Sequence, residues 1–276
     1  MGVIMKTLTV YPSFLCPFSC NFCLNKDKNS LNEILDTSVL ESFLKEYGHN
    51  FKKIYISGGE PMNLPKLYFN DLVDTIKEYN KNITILSYPF QMDNYRDDVE
   101  YILSYDFLAR PRALDVWSNL LKFPKKFDIS VTLTPLLFKY HPNAIFQKLS
   151  ILPNLKNVEL KPYFKNETTT WNLNNVTCDK FLKFWISSHL NVSFINVNKE
   201  KMRHLIGKAS RIEIIDEKNF NLLPDGKLYI DDFNEQDIHS FKEISITELD
   251  TIKIKQPSCI DFYSDDLQNW SLTNGI

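Results

Sequence analysis

Glycine is scarce in this chain, 7 of 276 residues. Glycine gives up more conformational freedom on folding than any other residue, so in a sequence this sparing the adjacent pair Gly58-Gly59 is more informative than usual. Net charge is nearly absent as well, −2 at pH 7. No global field favours nucleic acid, and none is expected as a partner. No run of about 18 apolar residues occurs, so no helix is expected to span a membrane. The N-terminus lacks the basic-then-apolar pattern of a secretory signal. Five cysteines, three of them clustered, do not read as a disulfide framework. A reducing cytoplasm is the expected compartment. The five histidines, at 49, 141, 189, 204 and 239, show no ligand spacing. Hydrophobic residues make up 43% of the chain, enough for a full core in one large domain or a domain with a small appendage.

What is present is a thiol triplet, Cys16-Pro17-Phe18-Ser19-Cys20-Asn21-Phe22-Cys23. Three thiols on one short loop can converge on a single metal centre. They cannot complete a four-ligand zinc site, which needs one more protein donor, a distant Cys or His. On a [4Fe–4S] cluster, three cysteines leave one iron open for an exogenous ligand.

Hydrophobic periodicity predicts strands at 6–12, 53–57, 83–87, 101–106, 127–134 and 158–161. Helices are predicted from Asp36 or Ser38 to Gly48, and over 66–79, 113–121 and 142–149. Ser38 and Glu41 have capping-box spacing. This alternation argues for parallel βα units. The fold class expected is α/β, a partial (β/α)6 TIM-like barrel open on one side, with a small C-terminal α/β appendage covering that side. The boundary is expected near residue 165, giving 1–165 as the core and 166–276 as the extension. The extension reads as a helix at 176–190, a strand at 192–197, and a β-hairpin over 211–231. The hairpin's strands are 211–215, 219–223 and 227–230, turning at Pro224-Asp225-Gly226. A short helix follows at 246–253. Function in such barrels sits at the carboxyl ends of the strands. The cysteine loop, Gly58-Gly59-Glu60 and Ser104-Tyr105-Asp106 all fall there.

The spacing Cys-x3-Cys-x2-Cys, with Phe22 before the last cysteine, resembles the signature of the radical S-adenosylmethionine (SAM) enzymes. Ile54-Tyr55-Ile56-Ser57-Gly58-Gly59-Glu60-Pro61 resembles that family's strand followed by Gly-Gly-Glu-Pro. The resemblance covers roughly residues 5–165, with a weaker echo at 220–245. It implies that Cys16, Cys20 and Cys23 hold a [4Fe–4S] cluster whose open iron binds SAM through its amino and carboxylate groups. One electron then cleaves the sulfonium to methionine and a 5′-deoxyadenosyl radical, which abstracts a substrate hydrogen. No catalytic residue beyond the cluster is implied. Gly58, Gly59 and Glu60 would meet the methionine end of SAM; without Cβ atoms the glycine backbone can approach the ligand closely. Ser104 and Asp106 resemble the ribose-binding position. Arg110 and Arg112 both follow it, and a guanidinium fork suits the SAM carboxylate; Arg112 is taken as the candidate. Thr132, Thr134 and Asn143 surround the end of the fifth strand, near the adenosine and substrate, with Thr134 as the candidate contact. Lys161-Pro162-Tyr163 edges the same region. Tyr88-Pro89 stands where many relatives carry Asn-Gly.

The hairpin Leu223–Ile230 resembles the start of the cysteine-rich SPASM extension of peptide-modifying relatives. In that pattern a cysteine follows soon after Gly-x-x-Tyr, and here Ile230 and Asp231 stand instead. Cys178 and Cys259 are too few for two auxiliary clusters, and none is expected. The expected substrate is a peptide, a ribosomal natural-product precursor; the alternative is a small molecule or nucleotide. From a different class comes a non-catalytic zinc or iron–sulfur binding module. The expected partners are a one-electron donor such as flavodoxin or ferredoxin and, because only about five residues precede the first strand, a separate peptide-recognition protein.

Overall fold

Alternation along the strands decides which way the sheet faces. Leu8 and Val10, Ile54 and Ile56, Ile83 and Ile85, and Ile129 and Val131 are buried, while their neighbours Thr7, Thr9, Thr84 and Ser130 put polar groups on the opposite face. The apolar face needs a cover, and amphipathic helices provide it. In the computed structural model, which describes residues 6–30, 32–161, 218–233, 239–249 and 251–252, the strands are β1 Lys6–Val10, β2 Lys53–Ile56, β3 Ile83–Ser87, β4 Glu100–Ser104, β5 Phe127–Thr132, β6 Leu155–Lys161, β7 Lys218–Leu222, β8 Leu228–Phe233 and β9 His239–Glu243. The helices are α1 Thr37–Tyr47, α2 Lys66–Tyr79, α3 Ala113–Lys122 and α4 Pro142–Leu149. Helix α2 contributes Phe69, Leu72, Val73 and Ile76 to the core, and α4 contributes Ile145, Phe146 and Leu149. Each fully buried side chain of this size stabilises the fold by about 1.5–3 kcal/mol.

The strands form one sheet in the order β6-β5-β4-β3-β2-β1-β7-β8-β9. Strands β1 to β6 pair in parallel in sequence order. The sheet is not closed: β6 and β9 are its two ends. It is the α/β partial barrel expected, with β7 added in parallel on the far side of β1 and β8 and β9 following antiparallel. Side chains reinforce the β1–β7 seam. Thr7 and Thr9 donate their hydroxyls to Asn219 Oδ1 at 3.1 and 3.0 Å.

Several bounds differ from expectation, each for a local reason. Helix α1 starts from Asp36, whose carboxylate accepts the Ser38 amide at 2.8 Å, so no Ser38–Glu41 capping box forms. Strand β4 ends at Ser104 and β5 at Thr132, which leaves Asp106 and Thr134 in the loops beyond. The predicted turn at Pro224-Asp225-Gly226 is present, with Gly226 at φ +76°, and joins β7 to β8. Strand β9 was not foreseen. The helix expected at 246–253 is a 3-10 turn, Ile246–Glu248, closed by a capping box between Ser245 and Glu248. The expected helix at 176–190, the strands at 192–197 and 211–215, and Cys178 and Cys259 lie outside the described residues.

Candidate cofactor site

A cavity of about 490 Å³ opens at the carboxyl ends of the parallel strands. Cys16, Cys20 and Cys23 line it, together with Gly58, Gly59 and Glu60. The loop between β1 and α1 that carries the thiols is held from within by Asn29. The Cys16 amide donates to Asn29 Oδ1 at 2.7 Å, and Asn29 Nδ2 donates back to the carbonyls of Cys16 and Phe18 at 2.8 and 3.2 Å. One side chain thus closes a loop of fourteen residues, Cys16–Asn29. The Cys23 amide donates to the Cys20 carbonyl at 3.1 Å, which makes a turn of the backbone between the last two cysteines. Nothing in the spacing of the sequence singles out Asn29; it shows only when the 3-10 turn Lys26–Ser30 folds back.

Burial pushes the Cys16 and Cys20 thiols up to about 11, the Phe18 amide partly offsetting this at Cys16 and Arg110 at Cys20. Among the described residues, no three Cys, His, Asp or Glu side chains converge on one ion-sized position. Among the described residues, the lining holds no histidine and no fourth cysteine. Its carboxylate next to the glycines, Glu60, has both oxygens engaged: Oε1 accepts from the Met62 amide at 3.2 Å and from the Ser87 hydroxyl, and Oε2 accepts from the Tyr88 amide at 2.8 Å. Glu159, the other lining carboxylate, belongs to β6, at the far edge of the parallel set. Three soft sulfurs around a cavity, with no further soft donor beside them among the described residues, suit an iron–sulfur cluster with one iron left open.

The two glycines make a close contact that was not foreseen. A Cβ on Gly59 would lie 2.0 Å from the Leu15 carbonyl oxygen, and one on Gly58, at φ +118°, 2.4 Å from that of Ser13. Both would strike the backbone of the cysteine loop. The Gly59 amide donates to the Ser13 carbonyl at 2.9 Å and the Glu60 amide to the Leu15 carbonyl at 3.0 Å. The glycines therefore let the end of β2 dock directly against the thiol loop. Glu60 is 4% exposed. Burial pushes its carboxyl up to about 7, against the pull of its three hydrogen bonds.

Of the residues expected around SAM, Ser104 lines the cavity, as do Thr132 and Lys161. Asp106, Arg112, Thr134 and Asn143 are not in the lining. Asp106 is buried behind it, accepting from the Thr132 amide at 2.6 Å on Oδ1 and pairing through Oδ2 with Arg110. Thr134 is buried and accepts the Leu137 amide at 3.2 Å. Asn143 sits in the first turn of α4, its amide donating to His141 Nδ1 at 3.2 Å. Arg112 adopts a left-handed conformation, φ 56°, at the start of α3, and its guanidinium pairs with exposed Asp115 at 2.8 Å. Arg110 is the arginine that reaches the cavity. Its guanidinium lies 5.0 Å from the Phe22 ring centroid and 4.9 Å from that of Tyr88. Tyr88, standing where Asn-Gly was the family pattern, is an aromatic support: its hydroxyl donates to the Pro111 carbonyl at 2.7 Å and its ring meets Phe18 edge-on at 5.5 Å. Pro162 and Tyr163 lie outside the described residues.

Comparison with known proteins agrees with this arrangement. Residues 6–108 match the family model described as a 4Fe-4S single cluster domain. No curated protein is matched by the sequence. Among solved structures, native anSMEcpe with bound AdoMet and the Cp18Cys peptide superposes with a TM-score of 0.64 at 18% identity, over 90% of this chain and 80% of that one. Native anSMEcpe with bound AdoMet gives 0.63 at 19%, over 90% and 81%. Streptococcus suis SuiB bound to precursor peptide SuiA gives 0.58 at 16%, over 96% of this chain; this chain spans 66% of SuiB, just under two thirds. At these identities the likeness is one of fold. The match over residues 6–108 is thus to a 4Fe-4S cluster domain, and the fold is shared with solved structures that hold AdoMet.

Proposed function

We propose that the chain cleaves SAM reductively at a cluster held by Cys16, Cys20 and Cys23 and uses the product to take a hydrogen atom from a peptide. The observation that carries this reading is that the thiol loop and the Gly58-Gly59-Glu60 turn wall one cavity and are joined to each other by two backbone hydrogen bonds. Cluster and SAM supply, when bound, a 5′-deoxyadenosyl radical able to break a strong C–H bond.

The chain's residues do the positioning. With the Gly59 and Glu60 amides taken by the loop, the turn has carbonyl oxygens left to accept an ammonium group: those of Gly58 and Glu60 accept one hydrogen bond each, from the Asn25 side chain at 3.5 Å and the Asn63 amide at 3.0 Å, and each has a second lone pair. The same burial that raises Glu60 makes its carboxyl sensitive to a cation brought beside it. Arg110, held by Asp106 and by two aromatic faces, takes the part expected of Arg112: a cation on a fixed stem, suited to a carboxylate. Ser104 offers a hydroxyl to the ribose, and Thr132 and Lys161 face the space left for adenosine or substrate. Apolar Phe14, Phe18 and Phe22 on the loop side keep water from the reacting region.

A peptide is favoured because two of the solved structures that share the fold hold peptides, Cp18Cys in one and SuiA in the other. The electron donor is expected to be a small redox protein such as flavodoxin or ferredoxin. The test is anaerobic reconstitution with iron and sulfide. About four irons per chain and 5′-deoxyadenosine on reduction are expected. A protein that holds one zinc and leaves SAM intact would sink the proposal. With a deuterated candidate peptide, deuterium should appear in the 5′-deoxyadenosine; transfer from a small molecule and from no peptide would reject the substrate class.

A further inference from the structure

The C-terminal hairpin carries no cysteine where the SPASM pattern has one, yet it is packed against the thiol loop. Three contacts join them. The Lys28 ammonium stands 3.9 Å from the ring centroid of Phe241 on β9 and 5.1 Å from that of Phe14 in the loop. The Tyr11 ring meets Phe241 edge-on at 5.6 Å and Phe14 at 5.8 Å. The Tyr11 amide donates to the Leu222 carbonyl of β7 at 2.8 Å. Lys28 is half-buried, and the carboxylates of Asp27, Asp225 and Asp231 act on it from the loop, the hairpin turn and β8. A desolvated ammonium between two aromatic faces is a directional contact, stronger than the same pair in water.

The position of Lys28 gives the contact its consequence. Lys28 and Asn29 share one 3-10 turn, Lys26–Ser30. Asn29 is the side chain that closes the thiol loop on the backbone of Cys16 and Phe18. Anything that fixes Lys28 from outside fixes the turn that presents Asn29. At its far end the hairpin is seated on α1, where a Cβ on Gly226 would meet Val39 at 2.8 Å.

We infer that Phe241 and Lys28 are positioning residues for the cluster: the hairpin, through this cation–aromatic contact, holds the Lys26–Ser30 turn so that Asn29 keeps the thiol loop in its ligating shape. The inference rests on the reading that Cys16, Cys20 and Cys23 hold the cluster. It assigns to the hairpin a role in cofactor retention that needs no second metal site.

The test uses full-length protein reconstituted anaerobically, with loss of the cluster's visible absorption followed after addition of a ferrous chelator. Phe241→Leu and Lys28→Met are each expected to lose iron roughly three- to tenfold faster than the parent, the range set by a cation–aromatic contact. The double variant should lose iron more slowly than the product of the two single effects, because both singles remove the one contact they share. Phe241→Tyr, which keeps the ring, should return the rate to within about twofold of the parent. Lys227→Ala, which breaks only the exposed Lys227–Glu243 pair of the same hairpin, should leave the rate unchanged. Hydrogen exchange should rise over residues 16–30 in Phe241→Leu. Parent-like iron loss in both single variants, or additive effects in the double, overturns the inference while leaving the cluster reading intact. A parent protein that takes up no cluster overturns the cluster reading, and this inference with it. Should Phe241→Leu fail to fold, Lys28→Met, which lies on the other element, decides the matter alone.

Discussion

Gly59→Ala is the sharpest perturbation of the docking between β2 and the thiol loop. The added Cβ would lie 2.0 Å from the Leu15 carbonyl oxygen, 2.4 Å from its carbon and 2.6 Å from the Phe14 carbonyl carbon. These are backbone atoms, which cannot rotate out of the way, so the two segments must part. Separation breaks the Gly59–Ser13 and Glu60–Leu15 hydrogen bonds, 2.9 and 3.0 Å long, at about 1 kcal/mol each. Residual backbone strain adds about 1–3 kcal/mol. The sum, roughly 3–5 kcal/mol, is a large part of the 5–15 kcal/mol that holds a typical domain together. Urea denaturation of the metal-free protein should show the loss as a lower midpoint, and iron uptake on reconstitution should fall with it. Gly48→Ala is the control. Gly48 ends α1 at an ordinary φ of −57°, and its added Cβ meets side-chain atoms, the Tyr79 Cβ at 3.3 Å and the Leu44 Cβ and Cδ2 at 3.6 Å. A change within about 1 kcal/mol is expected there. If Gly59→Ala melts within about 1 kcal/mol of the parent and loads iron equally well, the glycines are not where the loop docks, and the steric account is wrong.

Other consequences can be checked in the same preparations. Cys20→Ala should abolish 5′-deoxyadenosine formation and reduce bound iron; activity that persists would contradict the ligand assignment. Glu60 sits at about 7 in the folded chain, above the 4.5 of an ordinary glutamate, so the folded state keeps a proton that the unfolded chain gives up. Its contribution to the stability of the metal-free protein is present in full below about pH 4.5 and is lost as pH rises through 7, on the order of 3 kcal/mol. Glu60→Gln should flatten that part of the stability–pH curve, and an unchanged slope would show the group does not titrate there. Arg110→Met strands the Asp106 carboxylate, whose side chain has no exposure; a loss of about 3–5 kcal/mol is expected, with weaker SAM binding by calorimetry. Arg112→Met should leave SAM affinity as it was, since its partner Asp115 is half exposed; the opposite ranking of the two arginines would return the carboxylate role to Arg112.

Much of this arrangement is legible in the sequence, for reasons that differ by element. Helices α2 and α4 lie within their predicted bounds because an apolar stripe and a nearby proline mark each, Pro65 before α2 and Pro142 at the start of α4. The thiol triplet and Gly58-Gly59-Glu60 are local patterns, and local patterns survive without a structure. The reason for the glycines does not, because it concerns the loop that follows another strand. The choice between Arg110 and Arg112 is likewise invisible in the sequence. Two residues apart, they are separated by a left-handed turn at Arg112 and by a buried carboxylate at Asp106 that claims one and not the other. Asn29 has no signal because its partners are carbonyls and an amide, which every residue has.

Strand β9 fails for the opposite reason. His-Ser-Phe-Lys-Glu carries a single apolar residue, too little for a periodicity. That one residue is Phe241, the ring beneath Lys28. A strand kept only for the sake of its own core would be expected to bury more than one apolar side chain. One that mainly presents a single ring to a lysine beside the thiol loop can remain polar elsewhere along its length. The weakness of β9 as a strand and its place against the loop thus have one explanation: its pairing with β8 supplies the backbone hydrogen bonds, and Phe241 supplies the contact for which the strand is placed.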